Sequence, residues 1–385
     1  MAKRRKKKQQ LSFKGMAVIA LLVVIAVVLY IFVPPVKTFV DGYLYPEVGP
    51  SVNPSAFQGA GENELAVHFI DVGQGDSILI ELPDGKKMVI DGGDRSYEDE
   101  VQDYITAMGI TKIDYLIATH YDSDHIGGLD GVFGYTEVDV AYLPDIKDAE
   151  TKIGTGVYNS LMEAVRTEEG CEIRYNLTGI QISTEGTANE YRITWLSPEQ
   201  SLYDEINSKN TLDSYDKNDV SPIMLLEYQG KKIVFTGDAN CPVEEQVVTN
   251  FNSGVYGTLD LRNIDLLKAG HHGSNGTGSG AQITNGSTSQ KFLDLLKPKS
   301  VVISCGEGNT HGHPHQETLD RIEVSGAETY RTDYHGTVVA TILADESQPL
   351  QITTQKTVEE PQPSAPATTL AKLPALVMKN GKIAA

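Results

Sequence analysis

Histidine and aspartate are concentrated in a few short stretches of this sequence. Seven of the nine histidines lie in three motifs, at positions 120, 125, 271, 272, 311, 313 and 315. The first motif reads His-Tyr-Asp-Ser-Asp-His from His120 to His125. In an extended turn, His120 and Asp122 would face one side, while Asp124 and His125 would reach a neighbouring position. Imidazoles and carboxylates so arranged predict two metal ions a few ångströms apart.

The other motifs follow predicted strands in the same way. Asp238 ends an apolar run, the pair His271–His272 follows a second run, and His313 lies in a third motif after Ser304. Catalytic groups are typically carried on loops at the ends of a rigid scaffold of strands. Because three histidine motifs share this placement, we predict that they converge on one metal-binding site.

The elements that must position these loops can be predicted from the apolar pattern. Two blocks of strands, each followed by helices, favour two sheets packed face to face with helices outside. The predicted strands span residues 66–70, 77–82, 87–90, 114–118, 191–196, 223–228, 232–236, 264–267, 300–304 and 337–343. The predicted helices span residues 98–108, 158–167, 242–250, 289–296 and 316–323.

The N-terminal region predicts a membrane anchor. Residues 16–33 are uncharged and apolar, and seven basic residues but no acidic ones precede residue 15. Eighteen helical residues nearly span a hydrocarbon core of about 30 Å. The basic cluster places the N-terminus in the cytoplasm and the rest of the chain outside it. A cleaved signal peptide is the rival interpretation, but Pro34 and Pro35 make a poor cleavage context.

We therefore divide the chain into five regions. They are a basic cytoplasmic tail (1–14), a transmembrane anchor (15–34), a linker (35–64), a folded domain that carries the histidine motifs (65–345) and a disordered tail (346–385).

Composition limits the possible partners. The formal net charge is −20. Without the seven basic residues of the N-terminal cluster, the chain has 25 basic and 52 acidic residues. Such a chain does not bind nucleic acid non-specifically, so a nucleic-acid substrate would need a local basic patch or metal ions. Three cysteines, without zinc-finger spacing, exclude a disulfide-stapled scaffold.

The motifs together resemble those of the metallo-β-lactamase superfamily. The closer match is to the extracytoplasmic nuclease-like domain of the ComEC competence proteins and their stand-alone relatives. The matching stretches are residues 69–77, 90–93, 120–125, 236–238, 271–274, 312–315 and 331–333. The resemblance covers about residues 65–343 and implies the α/β class, as a four-layer αββα sandwich with its metal site at the strand ends.

Three departures from the superfamily pattern are visible. Asp122 replaces the second histidine of the HxHxDH signature, as it does in ComEC-like domains. No histidine lies between His125 and His271, so the third motif of the superfamily lacks its histidine. Only one membrane segment is predicted, so DNA import by this chain alone is not supported.

The resemblance implies a set of site residues around two divalent ions, Mn²⁺ or Zn²⁺. His120 and Asp122 would hold one ion, Asp124, His125 and His313 the other, and Asp238 would bridge them. Either His271 or His272 would complete the first site, and the other would contact a substrate phosphate or protonate the leaving oxygen. Further expected roles are catalysis (Asp124, His271 and His272), support of the ligands or capping of turns (Asp71, Asp76 and Asp91), and substrate contact (Ser274 and Asn309).

The implied function is that of a membrane-anchored, extracytoplasmic, metal-dependent hydrolase. Its expected partners are the cell membrane, through residues 16–33, and DNA or another phosphodiester. Two alternatives remain open. One is a metallo-hydrolase of a non-nucleic substrate such as a β-lactam, a thioester or a cell-wall phosphoester. The other is a non-catalytic accessory protein on the same fold.

Overall fold

The computed structural model describes residues 59–187, 189–276 and 286–357. The predicted cytoplasmic tail, the anchor and most of the linker lie outside these residues. Within the described ranges, no helix is both long and apolar enough to cross a bilayer.

Strands and helices alternate along most of the described chain. The strands are β1 (Leu65–Phe69), β2 (Ser77–Glu81), β3 (Lys87–Gly92), β4 (Lys112–Ile117), β5 (Glu137–Leu143), β6 (Glu172–Tyr175), β7 (Gln181–Ser183), β8 (Tyr191–Trp195), β9 (Met224–Tyr228), β10 (Lys231–Phe235), β11 (Leu266–Lys268), β12 (Ser300–Ile303), β13 (Glu328–Arg331), β14 (Val338–Ile342) and β15 (Gln351–Thr354). The helices are α1 (Glu98–Ala107), α2 (Ser123–Ile126), α3 (Leu129–Tyr135), α4 (Ala149–Lys152), α5 (Gly156–Thr167), α6 (Gln200–Ser208), α7 (Ser214–Asp219), α8 (Cys241–Asn252), α9 (Gln290–Leu296), α10 (Gln316–Ser325) and α11 (Thr332–His335).

These strands form two sheets. The first has the order β15-β14-β1-β2-β3-β4-β5-β6, and the second has the order β13-β12-β11-β10-β9-β8-β7. In the first sheet β3 to β6 run parallel, and in the second β10 to β13 run parallel. The remaining neighbours are antiparallel.

Three buried apolar clusters hold the layers together. The central one joins inward-facing side chains of both sheets, among them Phe69, Trp195 and Phe235. A second cluster packs α1, α3 and α5 onto the first sheet, and a third packs α8, α9 and α10 onto the second sheet. Burial of apolar area on both faces of each sheet is the dominant favourable contribution to such a sandwich. The predicted α/β sandwich of two sheets is confirmed.

The C-terminal edge differs from the prediction. Strand β15 pairs antiparallel with β14, with Val338 opposite Thr354, inside the segment predicted to be disordered from residue 346. That prediction is therefore wrong for residues 351–354. Because β15 is largely polar, its sequence did not indicate a strand. Ile352 nevertheless packs against the central cluster, and the strand pairs with the backbone groups of β14.

The parallel strands determine where the candidate site lies. In both sheets, the predicted residues lie at the carboxyl ends of parallel strands: Asp91 is the penultimate residue of β3, His120 follows β4, Asp238 follows β10 and His271 follows β11. Ligands of open α/β sheets bind at this end. The two sheets therefore place their chemistry-bearing loops at one common edge.

Candidate metal centre

The candidate site is centred on four buried side chains from both sheets. Asp76, His125, Asp238 and His272 each offer one ligand atom, and these atoms all lie within 4.8 Å of one another. His125 Nε2 lies 3.2 Å from His272 Nε2 and 3.3 Å from Asp238 Oδ1. Such close approach of imidazole and carboxylate atoms, away from water, is typical of a metal-binding cluster.

The first motif is folded differently from the extended turn that the sequence suggested. Asp122 precedes the short helix α2, so that Asp124 and His125 lie on its first turn. The end of helix α2 packs closely on the chain before α1. A Cβ at Gly127, the residue after the helix, would lie only 2.3 Å from the backbone nitrogen of Arg95. As a result His125 points inward and is fully buried, whereas the Asp122 side chain stays one-third exposed.

Asp91 supports His125 from behind. Its Oδ2 lies 2.8 Å from His125 Nδ1 and accepts a hydrogen bond from the Thr119 hydroxyl, while its Oδ1 accepts one from the Thr119 amide. With Nδ1 donating to the carboxylate, the Nε2 atom of His125 faces the cluster. Burial opposes protonation of His125, but the charges of Asp238 and Asp91 raise its pKa well above the ordinary value.

The histidine pair lies on a strained turn after β11. His271 and His272 both have positive φ angles, 44° and 52°, which non-glycine residues rarely adopt. His272 Nδ1 lies 3.0 Å from the carbonyl oxygen of Ser304, so its Nε2 faces His125. Burial opposes protonation of His272, but Asp238, Asp124 and Asp76 raise its pKa to about 10.

Asp238 lies between two groups of histidines. Its Oδ1 faces His125, and its Oδ2 lies 3.6 Å from both His271 Nε2 and His272 Nε2 and 3.9 Å from His120 Nε2. Burial would raise the pKa of Asp238, but His125 and His272 hold it well below the ordinary range. Burial lowers the pKa values of His120 and His271. Asp238 thus lies close to all four histidines, and its bridging role stays a prediction.

Asp124 and His313 border the same cluster. Asp124 Oδ2 lies 3.4 Å from His272 Nε2, and the His313 ring stacks on the His272 ring with centroids 6.1 Å apart. Burial and the neighbouring imidazoles lower the pKa of His313 to about 3, so it stays neutral. The Asn309 side chain bridges this loop, donating to the carbonyl oxygens of Gly306 and His313 and accepting from the His313 amide.

Several predicted residues have local partners instead. Asp122 Oδ1 lies 3.3 Å from Lys217 Nζ, outside the four-residue cluster. Asp71 accepts a hydrogen bond from the Gly73 amide and pairs with Lys356, which fits the turn-capping alternative. Ser274 Oγ accepts from the Gly276 amide. The substrate contacts predicted for Ser274 and Asn309 stay predictions.

Other residues at the site were not assigned a role from the sequence. Helix α7 and the turn after it bring Lys217 to Asp122, Asn218 Nδ2 to 3.3 Å from His271 Nδ1, and Ser221 Oγ to 3.3 Å from His120 Nδ1. Lys268 is fully buried beside Asp76. Lys268 is a charged residue at the end of the apolar strand β11, and this unusual position could have indicated a role for it. Nothing in the sequence of helix α7 indicated that its residues reach the site.

The donor atoms fit a divalent metal. His120 Nε2 and His313 Nδ1 are buried without a hydrogen-bond partner in the part of the chain that the structure describes. Asp238 Oδ1, 3.3 Å from His125 Nε2, is likewise buried without a hydrogen-bond partner among the described residues. Unsatisfied donor atoms of this kind are costly unless a cation binds them.

Comparison with known proteins identifies the class that this fold and site define. The model of the metallo-β-lactamase superfamily matches residues 70–278, and the chain belongs to this superfamily. Among curated proteins, ComE operon protein 3 of Bacillus subtilis (strain 168) is 29% identical over 293 residues, covering 72% of this chain and 33% of that protein. Competence protein ComA of Neisseria gonorrhoeae is 26% identical over 276 residues, covering 71% and 32% respectively.

The predicted ComEC-like character is thereby confirmed, although this chain spans about a third of the length of those relatives. Among solved structures, a CmlA β-hydroxylase matches with a TM-score of 0.43 at 14% identity, covering 74% of this chain and 55% of that one. A likeness of that size adds nothing about activity.

Proposed function

We propose that this protein is a metal-dependent phosphodiesterase that cleaves DNA or another nucleic acid. The observation that carries the proposal is the buried group of Asp76, His125, Asp238 and His272 at the common edge of the two sheets. The superfamily hosts many chemistries, so the substrate class rests on two further supports. These are the motif pattern shared with ComEC-like nuclease domains and the names of the curated relatives, one of which is a competence protein.

In this proposal two divalent ions bind side chains of both sheets. His125, His272, Asp124 and His313 would hold one ion, His120 and His271 the other, with Asp238 between them. When bound, such ions supply Lewis-acid chemistry to a phosphodiester and to a nearby water. The mixed set of carboxylates and imidazoles suits Mn²⁺ or Zn²⁺.

The residues at the mouth of the site would then handle the substrate. Lys217 is partly exposed and lies 3.3 Å from Asp122, so its ammonium group would contact a phosphate oxygen. His271 is more exposed than the fully buried His272. We therefore infer that His272 is a ligand in the buried part of the site, and that His271 would hold the other ion on the side of the site that is open to solvent.

We also propose that the domain acts outside the cytoplasm, held at the membrane by residues 16–33. The proposal is supported by the uncharged apolar run and the basic residues before it. Acidic residues dominate the rest of the chain, so substrate binding would depend on the metal ions and on local cations such as Lys217.

The test uses the full chain, purified in detergent, loaded with Mn²⁺ or Zn²⁺ and incubated with end-labelled single-stranded DNA. Asp124→Asn removes a carboxylate charge at the cluster while keeping the side chain's shape. Asp103→Asn is the matched control, because Asp103 is exposed on helix α1. The proposal predicts that the parent chain and the control cleave DNA, and that Asp124→Asn is at least 100-fold slower.

Two failures have different meanings. A parent chain that binds metal but leaves DNA intact would refute the nucleic-acid substrate, and β-lactams, thioesters and cell-wall phosphoesters would be assayed next. A parent chain that binds no divalent metal would refute the hydrolase proposal itself.

A further inference from the structure

A buried ion pair lies directly behind the candidate metal centre. Lys268 Nζ is 2.9 Å from Asp76 Oδ2, and both side chains are almost completely inaccessible to water. The same ammonium also donates to the carbonyl oxygen of Ala269 at 2.8 Å. Lys268 ends strand β11, only a few residues before the histidine pair.

Asp76 links this lysine to the cluster. Its Oδ1 lies 3.4 Å from His272 Nδ1, the ring nitrogen opposite the one that faces His125. Its backbone amide donates to the Asp124 carbonyl, and its own carbonyl accepts from the Gly93 amide. Asp76 therefore contacts the loops of both His272 and Asp124 and the end of strand β3.

The contact between these loops is unusually close. A Cβ at Gly75 would lie 2.2 Å from the Asp124 carbonyl oxygen, and Gly75 has a φ of 142°. Only glycine permits the amide of Asp76 to reach that carbonyl. The sequence Gly75-Asp76 thus fixes a carboxylate oxygen 3.4 Å from His272 Nδ1, beside the Ser304 carbonyl oxygen that lies 3.0 Å from the same nitrogen.

A buried ion pair does not by itself stabilise a fold. The desolvation penalty of both charges often exceeds their attraction, and apolar replacements are frequently neutral or stabilising. The pair between Lys268 and Asp76 is therefore poorly explained by stability alone. A carboxylate beside the outer nitrogen of a metal-binding histidine, in contrast, helps to fix the ring orientation and strengthens the ligand.

We propose that Lys268 is a positioning residue of the metal centre: it holds the Asp76 carboxylate beside His272 Nδ1, where its negative charge acts together with the Ser304 carbonyl to keep Nε2 aimed at the metal. In this arrangement Asp76 supports His272 and leaves His125, His272 and Asp238 as the ligands of the four-residue group, because Lys268 pairs with Asp76 Oδ2 and Asp76 Oδ1 lies beside His272 Nδ1. The inference rests on the proposed function, since it presumes a metal bound by His272.

The test measures metal affinity directly. The full chain in detergent is titrated with Mn²⁺ or Zn²⁺ against a fluorescent chelator, and thermal unfolding of the metal-free form is recorded separately. The variants are Lys268→Met, Asp76→Asn and the double variant. Lys299→Met is the matched control, because Lys299 pairs with Asp265 at 2.7 Å away from the cluster.

The proposal predicts a 10- to 100-fold weaker metal affinity for Lys268→Met and for Asp76→Asn, the usual effect of losing support behind a ligand. Lys268→Met leaves a buried carboxylate unpaired and also lowers the unfolding temperature. The double variant removes both charges, so its metal-free form regains stability while its metal affinity stays weak. Lys268→Arg restores part of the affinity, and Lys299→Met leaves it unchanged.

A second readout separates positioning from stability. The Co²⁺-loaded protein absorbs visible light according to the geometry of its ligands, so a rotated His272 alters the spectrum of Lys268→Met but not that of Lys299→Met. If the double variant binds metal as tightly as the parent, the pair serves stability only and the inference is overturned. A parent chain without any metal affinity would instead refute the proposed function.

Discussion

Replacing Asp91 by asparagine should disable His125 as a ligand while leaving the backbone intact. Asp91 has a φ of 57°, a left-handed conformation that asparagine tolerates as well as aspartate does. The two oxygens of Asp91 face three donors: His125 Nδ1 at 2.8 Å, the Thr119 amide at 2.9 Å and the Thr119 hydroxyl at 2.6 Å. An amide offers one acceptor and one donor in the same space.

The NH₂ group of the asparagine must therefore point at one of these donors, where it cannot accept a hydrogen bond. If the NH₂ group of the new asparagine faces His125, the imidazole proton moves to Nε2, which then has no lone pair for a metal. If it faces Thr119 instead, the backbone amide of Thr119 loses its partner. Disturbing the support behind a metal ligand typically costs 10- to 100-fold in affinity, or about 1.4–2.7 kcal/mol. A buried donor left unsatisfied lowers the free energy of unfolding by about 1–3 kcal/mol.

The assay pairs a chelator-competition titration with Mn²⁺ at neutral pH with urea unfolding in excess chelator. Asp91→Asn should bind metal at least tenfold more weakly than the parent and unfold at lower urea concentration. Asp103→Asn, on the exposed face of helix α1, should match the parent in both measurements. An Asp91→Asn protein that binds metal with the parent's affinity would refute the reasoning about His125.

The other predictions concern pH, substrate binding and stability. The pKa of His272 is raised to about 10 by Asp238, Asp124 and Asp76 against the opposing effect of burial, so protonated His272 stabilises the metal-free fold. That contribution is complete below pH 6.5 and is lost as the pH rises towards 10. Unfolding temperatures in chelator should therefore fall over this range, and a flat profile would contradict the assignment. Metal binding at pH 8 should release protons, measurable with an indicator dye in weak buffer. Lys217→Met should raise the KM for a phosphodiester several-fold with little change in kcat; an unchanged KM would remove Lys217 from the substrate site. Glu244→Gln should lower the free energy of unfolding by about 1–3 kcal/mol in urea without altering metal affinity, because the buried carboxylate accepts from the Thr288 and Ser289 amides.

Much of the fold follows from local apolar patterns in the sequence. The predicted strands at 77–82 and 232–236 correspond to β2 and β10, and the predicted helix at 98–108 corresponds to α1. Such elements bury continuous apolar runs or one regular helical face, which leave a clear signal. Strands β6 and β15 left none, because they lie at sheet edges and are largely polar and exposed.

The sequence predicted which residues lie close together better than it predicted the orientation of each side chain. Histidines after strand ends predicted that His125, His272 and His313 would converge, and the structure brings them together. The orientation of Asp122 depends instead on helix α2, whose four residues carry no clear periodicity. The contacts of Lys217 and Lys268 arise from tertiary packing between distant segments, which local spacing does not encode.

The central claim is that the joined edges of the two sheets bind divalent metal. The most direct measurement is the metal content of the full chain after loading with Mn²⁺ or Zn²⁺ and removal of free metal, with Asp238→Asn and Asp103→Asn measured alongside. The account predicts two ions per chain for the parent and for Asp103→Asn, and a loss of bound metal in Asp238→Asn. A parent chain without bound metal, or an Asp238→Asn protein that retains the full amount, would contradict it.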